Sequence, residues 1–217
     1  LWGKRAVVKD QFNELVIDLV NPAGQPERMQ LVVRGYNDGF AFCYKIPDGK
    51  GPCVNVQSEL TAYNFAGDYT AWFYNGENHN IGPEKLTETD GTRLPVMTVK
   101  AGDRHYMAIH EACLETGAPL VLQSKGGESL FSVASKPTSL SPGYTSAWRV
   151  VLYGTTPGVL TDSHLLELLN PDPDSRYDFS WVKPGLAVWD WRINGAVWDG
   201  FTYGLSLIHI SEPTRLL

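Results

Sequence analysis

Apolar and polar side chains alternate with a period of two through most of the first 155 residues, and that pattern permits little besides half-buried β-strands. In "ELVIDLV", Leu15, Ile17 and Leu19 share one face, with Val16, Asp18 and Val20 on the other. In "FAFCYKI", Phe40, Phe42, Tyr44 and Ile46 oppose Ala41, Cys43 and Lys45. "MQLVVRGY" runs into "NDG", where Asp38-Gly39 is expected to supply the positive φ angles of a tight hairpin turn. "RHYMAIHEACLE", "PLVLQSK", "SLFSVASK" and "AWRVVLYG" are further strands, separated by Gly, Pro and Asn clusters, and no long helical period interrupts them. Many short strands joined by turn residues bury their apolar faces as a mainly antiparallel β-sandwich.

The texture changes after Gly158. "TDSHLLELLNP" predicts a short helix that starts at Thr161 or Asp162, carries Leu165, Leu166, Leu168 and Leu169, and stops at Asn170-Pro171. "NPDPDSRYDFS" is a polar, Pro-broken connector. "LAVWDWRI" is apolar on both faces up to Val188, the pattern of a parallel strand covered on both sides. The stretch "LSLIHISEPTR" (Leu205 to Arg215) matches, residue for residue, the translation of a sequencing-library transposase adapter. Residues 205–217 are therefore expected to be foreign to the fold and disordered, and the chain to be a piece of a longer one.

With 217 residues, 43% of them hydrophobic, the chain has enough apolar material for one large core. Its net charge of −6 and lack of a basic cluster argue against nucleic acid as a partner. No apolar run approaches the roughly 20 residues a membrane-spanning helix needs. The cysteines, Cys43, Cys53 and Cys113, show no metal-ligand spacing. Either Cys43 and Cys53 are bonded across a hairpin, or all three are buried thiols acting as small apolar residues.

Paired carboxylates can act as general acid and base when they face one another across a reacting bond. Glu84 with Glu88 and Asp172 with Asp174 can be paired on paper, but they sit in turns and connectors and are expected to be surface charge. His105 and His110, five apart on one strand, point to opposite faces and cannot share a metal. They are expected to be ordinary hydrogen-bonded histidines, and His79 and His164 have no identifiable partner. No phosphate loop or nucleotide motif stands out.

Seven stretches occur in an order that resembles glycoside hydrolase family 97: "LWGKRAVVKDQFNEL", "LVVRGYNDGFAFCYKIP", "SELTAYNF", "HEACLE", "SAWRVVLYG", "LLELLNP" and "DFSWVKPGLAVWDW". That family contains bacterial α-glucosidases and α-galactosidases. The resemblance implies a large N-terminal β-sandwich over residues 1–158, lacking its first strands, and a linker with a short helix over 159–180. It further implies the start of a catalytic (β/α)8 barrel over 181–204. No catalytic residue can be carried over, because the family's acid and base lie on later barrel strands, so the chain alone is expected to be inactive. The resemblance makes Glu111 of "HEACLE" a ligand for Ca²⁺, a cation that takes hard oxygen donors. Trp191, at the end of the first barrel strand, is a candidate to stack on sugar; Trp189 is expected to be packing. The implied partner is an α-glucoside or α-galactoside oligosaccharide, and the implied location is the periplasm or surface of a Gram-negative bacterium. The alternative is a non-catalytic β-sandwich that binds carbohydrate or acts as a scaffold. A complete sandwich has no use for the Pro-Gly connector and buried strand of "SWVKPGLAVWDW".

Overall fold

The computed structural model describes residues 4, 5, 7–20, 26–76, 80–183 and 185, with residues 197–198 and 201–202. The chain divides into two compact units, Leu1–Asp172 and Pro173–Leu217. In chain order the first unit carries β1 (Asn13–Val20), β2 (Pro26–Tyr36), β3 (Gly39–Lys45), β4 (Val54–Val56) and β5 (Ala62–Asn64). Next come β6 (Thr70–Tyr74), β7 (Asn80–Lys85), β8 (Asp90–Ala101) and β9 (His105–Ala112). β10 (Leu122–Lys125), β11 (Leu130–Val133), β12 (Thr138–Leu140) and β13 (Trp148–Gly154) complete the strands, followed by helices α1 (Pro157–Asp162) and α2 (Leu165–Leu168).

Every ladder between these strands is antiparallel. The larger layer runs β1-β2-β3-β13-β9-β8-β6-β7, and the smaller one continues from β8 through β10 and β11 to β5. Strand β8 belongs to both. Its residues Met97 to Ala101 pair with β9, while Asp90 to Arg93 pair with β10. β4 and β12 form a separate two-stranded ribbon. The mainly β, antiparallel architecture expected from the alternation is the one observed.

The two faces of the larger layer bury different side chains. On one face Phe73, Met97 and Ile109 meet Leu122 and Phe131 of the smaller layer, all five at 1% exposure or less. On the other, Ala41, Cys43, Ala108, Val150 and Leu152 pack against Leu165 and Leu169 at α2. Fully burying a large apolar side chain is worth about 1.5–3 kcal/mol, so both cores matter to stability. In β3 the small residues Ala41 and Cys43 are the deeply buried ones, whereas Phe40 is 44% exposed. Small side chains let the helices approach the sheet closely, which alternation by hydrophobicity does not reveal.

Three sequence expectations change in detail. The expected single helix is two: α1 begins earlier, at Pro157, and the run breaks at Ser163 and His164. Buried Ser163 causes the break by donating from Oγ to Asp38 Oδ2 at 2.6 Å and accepting the Leu165 N–H at 3.2 Å. The β2–β3 turn holds Asn37 and Asp38, and of the expected pair Asp38-Gly39 only Gly39 has a positive φ. Gly39 is required for space, since a Cβ there would lie 2.3 Å from the Val151 carbonyl oxygen.

The third change concerns cysteine. Cys43 and Cys53 are both free, and of the three thiols only Cys43 is buried; Cys53 is exposed and Cys113 intermediate. Burial pushes the Cys43 thiol up to about 11, so it carries almost no thiolate at neutral pH. Ellman's reagent is expected to label Cys53 rapidly in the native chain and Cys43 only after unfolding. Fewer than three titratable thiols in unreduced, denatured protein would show that a disulfide forms after all.

In the second unit, β14 (Val197–Trp198) pairs antiparallel with β15 (Phe201–Thr202). Asp174 accepts two hydrogen bonds from Arg176 Nε, at 3.0 and 2.9 Å, and one from Nη2 at 2.6 Å. The expected barrel strand, with Trp189, Asp190, Trp191 and Arg192, lies outside the described residues, as do His79 and the 205–217 tail. No described helix is long and apolar enough to cross a membrane.

Candidate functional site

β9 and β13 are direct neighbours whose register sets Glu111 opposite Arg149. Strand periodicity sends both side chains to the face that carries Ile109 and Val151. Arg149 is 4% exposed, so its charge must be answered from within. It is answered twice. Nε and Nη2 donate to Glu59 Oε1 and Oε2 at 3.2 and 2.8 Å, a two-pronged pair of the kind guanidinium geometry favours. Nη1 donates to Glu111 Oε2 at 3.4 Å. Burial alone would lower the guanidinium's affinity for its proton, but the Glu59 hydrogen bonds and the surrounding charges raise it above its ordinary value.

Glu59 sits in the segment before β5, where its backbone N–H donates to Ser135 Oγ at 2.7 Å. Glu111 Oε2 also accepts the Leu120 N–H at 2.6 Å. Among the described residues, the hydrogen bonds of Glu111's carboxylate thus all fall on Oε2. Two carboxylates facing one guanidinium leave one net negative charge in a cluster whose side chains are 5–19% exposed. The Tyr63 hydroxyl lies buried without a hydrogen-bond partner among the described residues, and burial pushes the phenol's pKa up. Glu59 and Arg149 also line an open cleft of about 840 Å³, with Tyr44, Leu60, Pro142 and Tyr144 on its walls.

Of the sequence candidates, Glu111 lies in this cluster, while Trp191 lies outside the described residues. His110 Nδ1 accepts the Glu111 N–H at 2.8 Å, and burial lowers the ring's pKa despite the neighbouring carboxylate. His105 Nδ1 is 2.7 Å from Tyr153 Oη. Both are ordinary hydrogen-bonded histidines, as expected. Glu84 is more engaged than expected, taking a 2.7 Å hydrogen bond from buried Thr89 and lying 3.5 Å from Arg93 Nη2. Glu59 and Arg149 were missed. For Arg149 a signal exists, a lone cation inside the apolar run "WRVVLYG"; for Glu59, in irregular chain, there is none. Among the described residues no three His, Cys, Asp or Glu side chains gather closely enough to hold a metal ion.

Comparison with known proteins adds a family and several relatives. The family described as Glycosyl-hydrolase 97 N-terminal matches residues 1–171. A retaining alpha-galactosidase of Bacteroides thetaiotaomicron is 27% identical over 199 residues, covering 73% of this chain and 30% of that protein. A probable retaining alpha-galactosidase of Streptomyces bingchenggensis is 30% identical over 187 residues, covering 77% of this chain and 27% of that protein. Among solved structures, a Glycoside Hydrolase Family 97 enzyme of a Pseudoalteromonas species, in complex with acarbose, superposes with a TM-score of 0.69 at 26% identity. The match covers 85% of this chain and 30% of that one, and a variant of the same enzyme was solved with panose. The chain thus spans less than a third of the length of these relatives.

Proposed function

The chain belongs to glycoside hydrolase family 97, as its N-terminal part, and from that premise we propose that its parent protein is a Ca²⁺-dependent α-glycosidase. The observation that carries this reading is the family match over residues 1–171. Two relatives named as retaining α-galactosidases make α-galactosides the first substrates to test. A structural neighbour solved with panose keeps α-glucosides as the second.

The residues present fit one corner of a calcium site. Glu111 offers an anionic oxygen ligand of the type Ca²⁺ prefers, and the surplus negative charge of the Glu59–Arg149–Glu111 cluster suits a cation. Glu111 would hold the ion together with carboxylates from the rest of the parent. The ion would supply positive charge to polarise or orient the sugar. Within this chain, Arg149 and the Leu120 N–H orient the Glu111 carboxylate, and Tyr44, Tyr144 and Leu60 wall the adjoining cleft.

The chain by itself is proposed to be inactive. Cleavage needs an acid and a base or nucleophile on either side of the glycosidic bond. Both Glu59 oxygens are taken by Arg149, Glu111 is assigned to the ion, and Glu84 lies against Thr89 and Arg93. The full-length parent is expected to turn over aryl α-galactosides or α-glucosides, to lose that activity in chelator and to regain it with Ca²⁺. The isolated chain, assayed beside it, should show none. A parent that cleaves neither substrate class, or that ignores chelator, would sink the corresponding half of the reading.

A further inference from the structure

We propose that Arg149 is a positioning residue for Glu111, holding its carboxylate by Oε2 and so setting the cation affinity of the parent's site; this rests on the calcium reading of Glu111 given above. The argument begins with the sheet. Directly opposed residues on antiparallel strands keep their Cβ atoms about 4.5–5.5 Å apart, so the β9–β13 register fixes how Arg149 reaches Glu111.

The guanidinium is then locked from its other side. Its fork on Glu59, at 3.2 and 2.8 Å, orients the whole planar group and leaves Nη1 directed at Glu111 Oε2. The Leu120 N–H takes the same oxygen at 2.6 Å. Two donors on one oxygen restrict the carboxylate's rotation and leave Oε1 as the oxygen available for another ligand. Groups that orient a metal ligand in this way change metal affinity by about 10- to 100-fold when removed. Lysine would keep the charge at position 149 but lose the fork, so it separates electrostatics from orientation.

The test measures Ca²⁺ binding directly, by calorimetric titration of chelator-stripped full-length parent. Wild type, Glu111→Gln, Arg149→Lys and the double variant are compared. Arg149→Lys is expected to weaken binding about tenfold, and the double variant to bind no more weakly than Glu111→Gln alone. That non-additivity is the signature of one residue acting through the other, which a general loss of fold would not produce. If Glu111→Gln loses affinity while Arg149→Lys stays within about twofold of wild type, the role of Arg149 is overturned and the reading of Glu111 stands. If Glu111→Gln binds like wild type, that reading falls and the role of Arg149 with it. Equal weakening by Arg149→Lys in both backgrounds also overturns the proposal. Should Arg149→Lys fail to fold, Glu59→Gln releases the far end of the fork instead. It must weaken Ca²⁺ binding in the wild-type background and not in the Glu111→Gln background, or the proposal is wrong.

Discussion

Arg149→Met is expected to destabilise the chain by about 3–5 kcal/mol, because it strips the counter-charge from two carboxylates at once. The Arg149 side chain is 5% exposed, and those of Glu59 and Glu111 are 19% and 12% exposed. At those exposures both carboxylates would stay largely shielded from water once the guanidinium is gone. At roughly 2–4 °C per kcal/mol for a chain of this size, the melting temperature should fall by roughly 6–20 °C. Replacing all three residues with Gln, Gln and Met should recover most of the loss, since an uncharged set leaves no buried charge unanswered. Urea denaturation of the three proteins settles the matter. A loss below about 1 kcal/mol in the single variant would mean that water reaches this cluster freely.

Phe131→Ala is expected to cost a comparable amount, about 3–5 kcal/mol, by a different route. The ring is fully buried between the layers, 5.5 Å from the Phe73 ring centroid and 6.4 Å from that of Phe65. Its removal deletes apolar burial and opens a void that Phe73, on a strand paired on both sides, cannot collapse to fill. The effect should be present at any pH and insensitive to salt, which distinguishes it from the Arg149 variant. A cost under about 1.5 kcal/mol would show that the layers close over the gap.

The strands were legible because period two is imposed by the backbone itself, and "ELVIDLV" and "FAFCYKI" carry it whatever their tertiary partners. Which face of β3 is the deep one was not legible. That depends on how closely α2 approaches, and Ala41 and Cys43 announce their role only once Leu165 and Leu169 are in place. The break in the C-terminal helix depends on Asp38, 125 residues away from Ser163, and no local pattern encodes it. The candidate site was half legible. Glu111 could be singled out from the motif "HEACLE", but its partners come from a distant strand and an irregular segment. Glu59 and Arg149 are 90 residues apart, and only the folded sheet brings them together.

That separation also has a consequence in time. Strand β3 pairs with β13 through contacts such as Phe42 with Arg149, a gap of 107 residues (149 − 42). At a synthesis rate of roughly 5–20 residues per second, β3 leaves the ribosome roughly 5 to 20 seconds before its partner. Until then its outer edge is an open row of backbone donors and acceptors, a surface that invites pairing with other chains. Glu59 and Glu111 are both made before the cation that joins them, 90 and 38 residues ahead of Arg149. The anionic cluster is therefore completed by the same event that closes the sheet. A ribosome stalled before residue 148 would carry β1 to β12 and both carboxylates, but not the Arg149 that joins them.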